Sequence, residues 1–215
     1  MISKYIDHMG SDLTVVNSAR VSFDLESQVL NQKDEKLIAY LAKHKHWTPF
    51  SHCFVTIREE VPIFIARQRF KHTVGFSYNE VSRRYVDKPP NLYLPEAWRK
   101  RPDKSIKQGS GEDLNTYQQQ TLNKEVINYY SLCRKMYTTF LDYGVAPEQA
   151  RMLLPQSMFT SYYVSGSLSA WARFYSLRAE KTAQKEISVL ANKSASIIKP
   201  LFPISWEALT GEDNG

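Results

Sequence analysis

Cysteine is scarce in this sequence of 215 residues, which contains only Cys53 and Cys133. Two cysteines are too few for a disulfide scaffold, and the absence of a CxxC pair excludes the common redox and zinc motifs built on that pair. Few and isolated thiols are typical of a reducing compartment, and we expect the cytoplasm. Neither a run of roughly 20 apolar residues nor the apolar core of a signal peptide is present, so no membrane partner is expected.

Several catalytic motifs are also missing. The sequence has no GxGxxG, no P-loop, no GxSxG elbow and no HExxH. Cys53 lies in a predicted strand and Cys133 on the apolar side of a predicted long helix. Both are therefore interpreted as small core residues, and nucleophilic catalysis by cysteine is not expected.

The charge balance favours anionic ligands. The net charge is +6, and aromatic residues make up 13% of the chain. The densest basic block, Arg67 to Arg84, is interrupted by apolar and turn residues, whereas a nucleic-acid arm is more often a plain Lys/Arg run. A phosphate-bearing small molecule is therefore favoured over nucleic acid. A nucleic-acid-binding module stays an alternative, because rings and positive charge also suit that function.

Short strands alternate with long helices in the predicted secondary structure. This order predicts one domain, residues 1–215, of the α/β or α+β class. We expect helices over 11–20, 33–45, 62–72, 111–143, 146–154, 165–178 and 182–198, strands over 53–60 and 157–164, and a loop over 86–109 with one short strand near 92–94.

The segment from Arg67 to Tyr85 carries the densest chemistry. It combines guanidinium, carboxylate, amide and hydroxyl groups, and guanidinium groups bind phosphate bidentately. Phe70, Phe76 and Val81 are interleaved with these groups, so the polar side chains cannot all face bulk water. A solvated joint with salt bridges is the alternative, but the interleaving favours a nucleotide site.

Further polar residues suggest ligand contacts elsewhere. The turn with His44, His46 and His52 lacks an acidic or cysteine partner at metal spacing, so no metal is expected and a contact with a cofactor or substrate is preferred. Arg151 and Arg178 are single charges in apolar stretches. Each requires an anionic or carbonyl partner, which is either a ligand or an internal carboxylate; for these arginines Glu180 and Glu186 are the candidates.

Taken in order, six segments resemble the flavin-dependent thymidylate synthases, and the resemblance covers most of the chain. The segments are Ser18-Ala-Arg-Val-Ser-Phe-Asp24, His44-Lys-His-Trp-Thr-Pro-Phe50, Pro62-Ile-Phe-Ile-Ala-Arg-Gln68, Asn79-Glu-Val-Ser-Arg-Arg-Tyr85, Ala150-Arg-Met-Leu-Leu-Pro155 and Leu177-Arg-Ala-Glu180.

The resemblance implies a homotetramer of α/β subunits with active sites at subunit junctions. It implies FAD as the cofactor, NADPH as its reductant, methylenetetrahydrofolate as the carbon donor, and conversion of dUMP to dTMP. No protein side chain need attack the uracil ring in this family, which agrees with the lack of a reactive cysteine. A family member with an altered pyrimidine nucleotide substrate is the other enzyme considered.

The resemblance also implies site residues. Arg178 would stabilise the ionised edge of the pyrimidine, His46 would lie against the flavin or substrate ring, and Ser82 would position the substrate. The residues expected to bind dUMP are Gln68, Arg69, Phe70, Lys71, Arg151 and Arg178, with Glu80, Val81, Ser82, Arg83 and Arg84 from a neighbouring subunit. The residues expected to contact FAD are Thr48, Lys71, His72, Thr73, Glu80, Ser167, Leu168, Ser169 and Arg173.

The sequence departs from the family at one signature. The family pattern is Arg-His-Arg, seven residues and then Ser, whereas this chain has Lys71-His72-Thr73 and eight residues before Ser82. Two guanidinium groups are therefore replaced and one turn residue is added. Our hypothesis is that Arg69 and Arg173 restore positive charge near the flavin phosphates.

Overall fold

The computed structural model describes residues 1–104, 109–180 and 182–211, and within them four strands form one antiparallel sheet. Residues 105–108 of the predicted 86–109 loop lie outside the described residues. The strand order is β1-β2-β4-β3, so β1 and β3 are the edges. The strands are β1 (Ile2–Met9), β2 (Phe54–Pro62), β3 (Phe76–Glu80) and β4 (Phe159–Ser167).

The helices follow local signals that the sequence carries. Asn31 caps α2 and Asn115 caps α4 by accepting backbone N–H groups of the first turn, as expected for this residue type. The helices are α1 (Asp12–Arg20), α2 (Gln32–Lys43), α3 (Ile63–Arg69), α4 (Thr116–Asp142), α5 (Pro147–Ala150), α6 (Leu168–Arg178), α7 (Lys185–Ile198) and α8 (Pro203–Thr210).

The core lies between one face of the sheet and the helices. Val55, Ile57 and Val61 alternate along β2 and are buried. They belong to the same cluster as Trp171 of α6 and Trp206 of α8. The mixed α/β class is confirmed, and the central strands β2 and β4 hold the flanking elements in place.

Three elements were not predicted. Strand β1 is an exposed edge in which only scattered residues are covered, so its sequence lacks clear alternation. Strand β3 lies in the segment from Arg67 to Tyr85, which was interpreted as a ligand site and was given no strand. Pro203 was expected to close the last helix, but it lies in the first turn of α8, where its missing N–H is tolerated.

Several predicted boundaries were wrong. The helix expected over 111–143 begins at Thr116, because Asn115 caps it. The helix expected from residue 165 begins at Leu168, since β4 continues to Ser167. The short strand expected near 92–94 is a single bridge from Leu92 to Met158. Among the described residues, no helix is long and apolar enough to cross a membrane.

Candidate active site

The turn between α3 and β3 packs against the first residues of α6. The backbone N–H of Ser167 donates to the carbonyl of Gly75 at 3.1 Å. Gly75 has φ +77°, and a Cβ there would lie 2.9 Å from the Ala170 Cβ and 3.0 Å from the Ser167 Oγ. Glycine is therefore required both by the left-handed backbone and by the close approach of the helix.

Three serine hydroxyls meet at this helix end. Ser167 caps α6 by accepting the N–H of Ala170 at 3.3 Å. Its hydroxyl lies 3.1 Å from that of Ser169, which lies 2.9 Å from that of Ser51. The N–H groups of Ser167, Leu168 and Ala170 already have partners within the chain, so the helix dipole and the hydroxyls are what this end offers a phosphate.

Arg173 joins α6 to the same turn. Its Nη2 donates to the carbonyl of Val74 at 2.5 Å. Together with Ser169 and His46, Arg173 lines a cavity of about 680 Å³. Apolar side chains form most of its remaining wall, including Trp47 and Leu177. A cavity of this size, with apolar walls and a few polar groups, suits a flat ring ligand.

His46 reaches this cavity because α2 ends just before it. Lys45 adopts a left-handed backbone with φ 57°, and the N–H of His46 then donates to the carbonyl of Leu41 at 2.8 Å. Thr48 lies beside His46 in an adjoining pocket of about 300 Å³, which Ser22 also lines. Two residues predicted to contact flavin or substrate are thus brought to the same side of α6 as Arg173.

Arg178 lies on another face of α6 and contacts His72. Its Nε donates to His72 Nε2 at 2.9 Å. The imidazole also meets the Phe174 ring edge-on, with centroids 5.0 Å apart. Burial, and then the positive charges of Arg178, Arg69 and Arg173, lower the pKa of His72 to about 4. The ring is therefore neutral near pH 7 and accepts the Arg178 hydrogen bond.

A buried arginine packs against the turn from the side of the core. Arg69 is 0% exposed, and its Nε donates to the buried carboxylate of Glu59 at 3.2 Å. Four aromatic rings surround its guanidinium carbon, with centroid distances of 4.1 Å for Phe174, 4.4 Å for Phe76, 4.9 Å for Trp171 and 5.3 Å for Tyr78. Carboxylate and rings together stabilise a cation that burial alone would not allow.

This position corrects the expectation for the Arg69 side chain. We expected Arg69 to be among the residues that bind dUMP, and its positive charge to act near the flavin phosphates. The side chain has no exposed surface and is enclosed by rings and Glu59, so a phosphate cannot reach it without displacing them. Of the two residues in the compensation hypothesis, only Arg173 is exposed beside the turn.

Tyr78 links the buried arginine to His72. Burial raises the pKa of Tyr78 to about 12, so its hydroxyl stays protonated. The hydroxyl accepts from Arg69 Nη1 at 2.5 Å and contacts the carbonyl of His72 at 2.7 Å. The backbone of His72 is thereby fixed from the core. Sequence reasoning did not single out Tyr78, Phe174 or Glu59, because no local pattern shows that they meet Arg69.

The second half of the predicted centre lies at the opposite end of β3. Thr160 donates to the Glu80 carboxylate at 2.6 Å. Arg83 donates to the carbonyl of Lys88 at 2.6 Å, and the Arg84 backbone N–H donates to Ser82 Oγ at 3.3 Å. The register pairs Phe76 with Gly166 and Glu80 with Tyr162, so four residues of strand separate the two ends, roughly 13 Å.

The other predicted residues differ in accessibility. Lys71 and Thr73 are exposed in the turn, and the exposed Arg151 donates from Nε to the Glu148 carbonyl at 3.1 Å. Phe70 packs edge-on against Tyr78 and Tyr162, so its ring belongs to the core. Gln68 is half-buried and Val81 is exposed, whereas Leu168 is fully buried and its N–H donates to the Cys53 carbonyl at 2.9 Å.

The structure also bears on the internal partner considered for the arginines, on a metal site and on the cysteines. Glu186, considered as an internal partner for an arginine, pairs with Arg99 at 2.6 Å. Across residues 1–104, 109–180 and 182–211, no group of three or more His, Cys, Asp or Glu is placed to hold a metal ion. Cys53 and Cys133 are buried free thiols, and burial raises the pKa of Cys53 to about 12. That ionisation state makes Cys53 a poor nucleophile.

Comparison with known sequences identifies close relatives. The family model described as "Thymidylate synthase complementing protein" matches residues 4–204. A flavin-dependent thymidylate synthase of Thermosipho melanesiensis is 36% identical over 205 residues, which is 95% of this chain and 88% of the relative. A flavin-dependent thymidylate synthase of Wolbachia pipientis wMel is 37% identical over 207 residues, covering 95% and 72%.

Solved structures show the same architecture. The UMP/dUMP methylase PolB of Streptomyces cacaoi, bound with 5-Br UMP, superposes with a TM-score of 0.88 at 29% identity, covering 98% of this chain and 93% of that chain. The same methylase bound with 5-Br dUMP gives a TM-score of 0.87 at 30% identity, covering 98% and 94%.

Proposed function

The chain belongs to the family of flavin-dependent thymidylate synthases, and we propose that it converts dUMP to dTMP with FAD as its cofactor, NADPH as the reductant and methylenetetrahydrofolate as the carbon donor. The observation that carries the proposal is the convergence of Arg173, Arg178 and the N-terminus of α6 on one turn, beside an apolar-walled cavity. Residues 1–215 would act as a single catalytic domain. The two buried free thiols are consistent with a reducing compartment such as the cytoplasm.

The residues at this turn fit a flavin dinucleotide. The hydroxyls of Ser167 and Ser169 offer hydrogen bonds to phosphate, the N-terminus of α6 contributes its dipole, and Arg173 and Lys71 offer positive charge. The apolar cavity beside His46 offers a surface for a ring system. FAD, once reduced by NADPH, would supply the two electrons that turn the transferred methylene group into a methyl group. We assign FAD contacts to Thr48, Lys71, His72, Thr73, Glu80, Ser167, Ser169 and Arg173. Leu168, which the resemblance also implied, is fully buried and its N–H donates to the Cys53 carbonyl, so it receives no hydrogen bond to FAD.

Arg178 is the residue proposed to act on the pyrimidine. A guanidinium presents parallel donors, which stabilise negative charge developing on the ring. His46 would limit the ring from the side of the cavity, and Ser82 would position the substrate by hydrogen bonding. We assign dUMP contacts to Gln68, the backbone of Arg69 and Phe70, Lys71, Glu80, Val81, Ser82, Arg83, Arg84, Arg151 and Arg178.

Two features support a homotetramer with shared sites. The Glu80–Arg84 segment is roughly 13 Å along the strand from the turn that holds Arg178, so one nucleotide would meet both through segments of different subunits. Along α4 and at the residue that follows it, Leu122, Tyr129, Met136 and Tyr143 lie seven residues apart and are 38%, 51%, 38% and 85% exposed. An apolar row of this length on a helix is typical of a helix–helix interface.

The proposed activity is tested on the purified protein. We expect a yellow protein whose flavin spectrum shifts when dUMP is added, and dTMP formation only when NADPH and methylenetetrahydrofolate are both present. UMP is tested in parallel, because the solved relatives are named UMP/dUMP methylases. A colourless protein with no spectral response to added FAD, or a yellow protein that forms no dTMP, would contradict the proposal.

The proposed assembly is tested separately by sedimentation or light scattering. A charged residue in the apolar row, as in Met136→Glu, should dissociate the tetramer and abolish turnover because the shared sites are lost. Thr138→Glu, on the exposed surface of the same helix, is the matched control. A monomeric wild-type protein with full activity would refute the shared site.

A further inference from the structure

The direction of the hydrogen bond between Arg178 and His72 indicates the role of the imidazole. The donor is the Nε–H of Arg178, so His72 Nε2 is the acceptor. An imidazole that accepts at Nε2 is neutral and carries its proton on Nδ1. This bond uses Nε and leaves the terminal Nη1 and Nη2 groups to form a bidentate contact with a ligand.

The imidazole itself is fixed from two sides. Its ring packs edge-on against Phe174, with an interplanar angle of 82°. Its backbone carbonyl is held by the Tyr78 hydroxyl, which in turn is held by the buried Arg69. His72 is therefore a hydrogen-bond acceptor held rigidly against the core. Arg178 has a long side chain that would sample many rotamers without this hydrogen bond.

We propose that His72 is a positioning residue, which orients the guanidinium of Arg178 toward the nucleotide through the Nε–Nε2 hydrogen bond and takes no part in proton transfer. This inference rests on the proposed function, in which Arg178 faces the pyrimidine. It goes beyond the family resemblance, which implies only that His72 contacts FAD.

The electrostatic surroundings agree with this role. The charged groups that act on the ring are Arg178 and Arg173 of α6 and Arg69 of α3, and all three are cationic. With burial, they disfavour an imidazolium, which would repel Arg178 and lose the acceptor. The folded protein therefore keeps the acceptor available throughout the neutral range.

The test compares two substitutions at His72. His72→Phe keeps a planar ring beside Phe174 but removes the acceptor, while His72→Gln restores a neutral acceptor. We expect His72→Phe to weaken dUMP binding about 10- to 100-fold, measured from the flavin spectrum, since a hydrogen bond to a charged group is lost. FAD affinity should fall by a smaller factor than dUMP affinity, because His72 is one of several residues assigned to FAD, and His72→Gln should recover most of the dUMP affinity.

A double-mutant cycle tests whether the effect acts through Arg178. Arg178→Lys removes the Nε donor, so adding His72→Phe to it should cause little further loss of dUMP affinity. A loss that is fully additive would overturn the proposal. So would a His72→Phe variant that binds dUMP normally, or one that loses FAD instead of dUMP.

A readout independent of ligands separates this inference from the proposed function. Nitrogen-15 NMR of the imidazoles should show His72, assigned by its absence in His72→Gln, as a neutral Nδ1–H tautomer that does not titrate between pH 5.5 and 8. Titration near the ordinary histidine pKa of about 6.5 would overturn the inference whatever the enzyme binds. Wild-type protein that binds neither FAD nor dUMP would instead contradict the proposed function.

Discussion

Replacing the buried arginine beneath the active-site turn should destabilise the whole fold. Arg69→Met keeps an unbranched side chain of similar length but removes the charge that pairs with Glu59. The carboxylate would then remain at 0% exposure, where the hydroxyl of Ser194 donates to it at 3.2 Å but does not neutralise its charge. Loss of one partner from a buried ion pair costs about 3–5 kcal/mol of unfolding free energy.

The magnitude can be measured by denaturant unfolding of the protein without FAD, so that cofactor binding does not contribute to stability. For a chain of this length, the same loss corresponds to a fall in Tm of roughly 6–20 °C. Arg67→Met is the matched control, because Arg67 is exposed two residues away on the same helix and should change stability by less than about 0.5 kcal/mol.

A second substitution separates lost charge pairing from lost packing. Adding Glu59→Gln to Arg69→Met removes the unpaired carboxylate, so the double variant should regain at least about 1 kcal/mol relative to Arg69→Met alone. If Arg69→Met costs less than about 1 kcal/mol, the buried pair does not stabilise the fold. If the double variant is no more stable than the single one, the unpaired carboxylate is not the cause of the lost stability.

Three further outcomes are expected. Gly75→Ala should lower FAD affinity at least about tenfold, because the new Cβ would clash with α6. Gly144→Ala is the control, since Gly144 also has a positive φ, +80°, but has nothing within 4 Å of its Cβ position, so FAD affinity should be unchanged. Equal FAD affinities in the two variants would show that the turn does not hold the cofactor. Native protein should leave Cys53 and Cys133 unmodified by a thiol reagent at pH 8, while unfolded protein exposes both, and rapid labelling of Cys53 would contradict its raised pKa. The pKa of His72 is lowered from 6.5 to about 4, so its contribution to the unfolding free energy is present above pH 6.5 and is lost as the pH falls toward 4. His72→Gln should therefore make the unfolding free energy less dependent on pH between 4 and 6.5. An unchanged pH dependence would refute the lowered pKa.

The strongest periodic elements were predictable from the sequence. Helices α1, α2 and α7 and strands β2 and β4 appear close to their expected positions, because their apolar spacing and capping residues act locally. The edge strands were missed. An edge strand buries few side chains, so its alternation is weak, and its pairing depends on a partner strand distant in sequence.

The candidate site was predicted by residue type but not by role. Arg173 and Arg178 were singled out, and both contact the turn before β3. Arg69 was also singled out, but it lies in the core. The sequence could not separate these three arginines, since only tertiary packing shows which guanidinium is enclosed by rings.

By itself, the sequence determined the mixed α/β class, the family, and the segments that carry the chemistry, because motif content and local periodicity are properties of consecutive residues. Only the tertiary structure decided that Arg69 pairs with Glu59, that Tyr78 fixes the backbone of His72, and that His72 accepts from Arg178. These contacts join residues on different elements. Their existence depends on how the helices pack on the sheet, and burial then sets the charge state of each group.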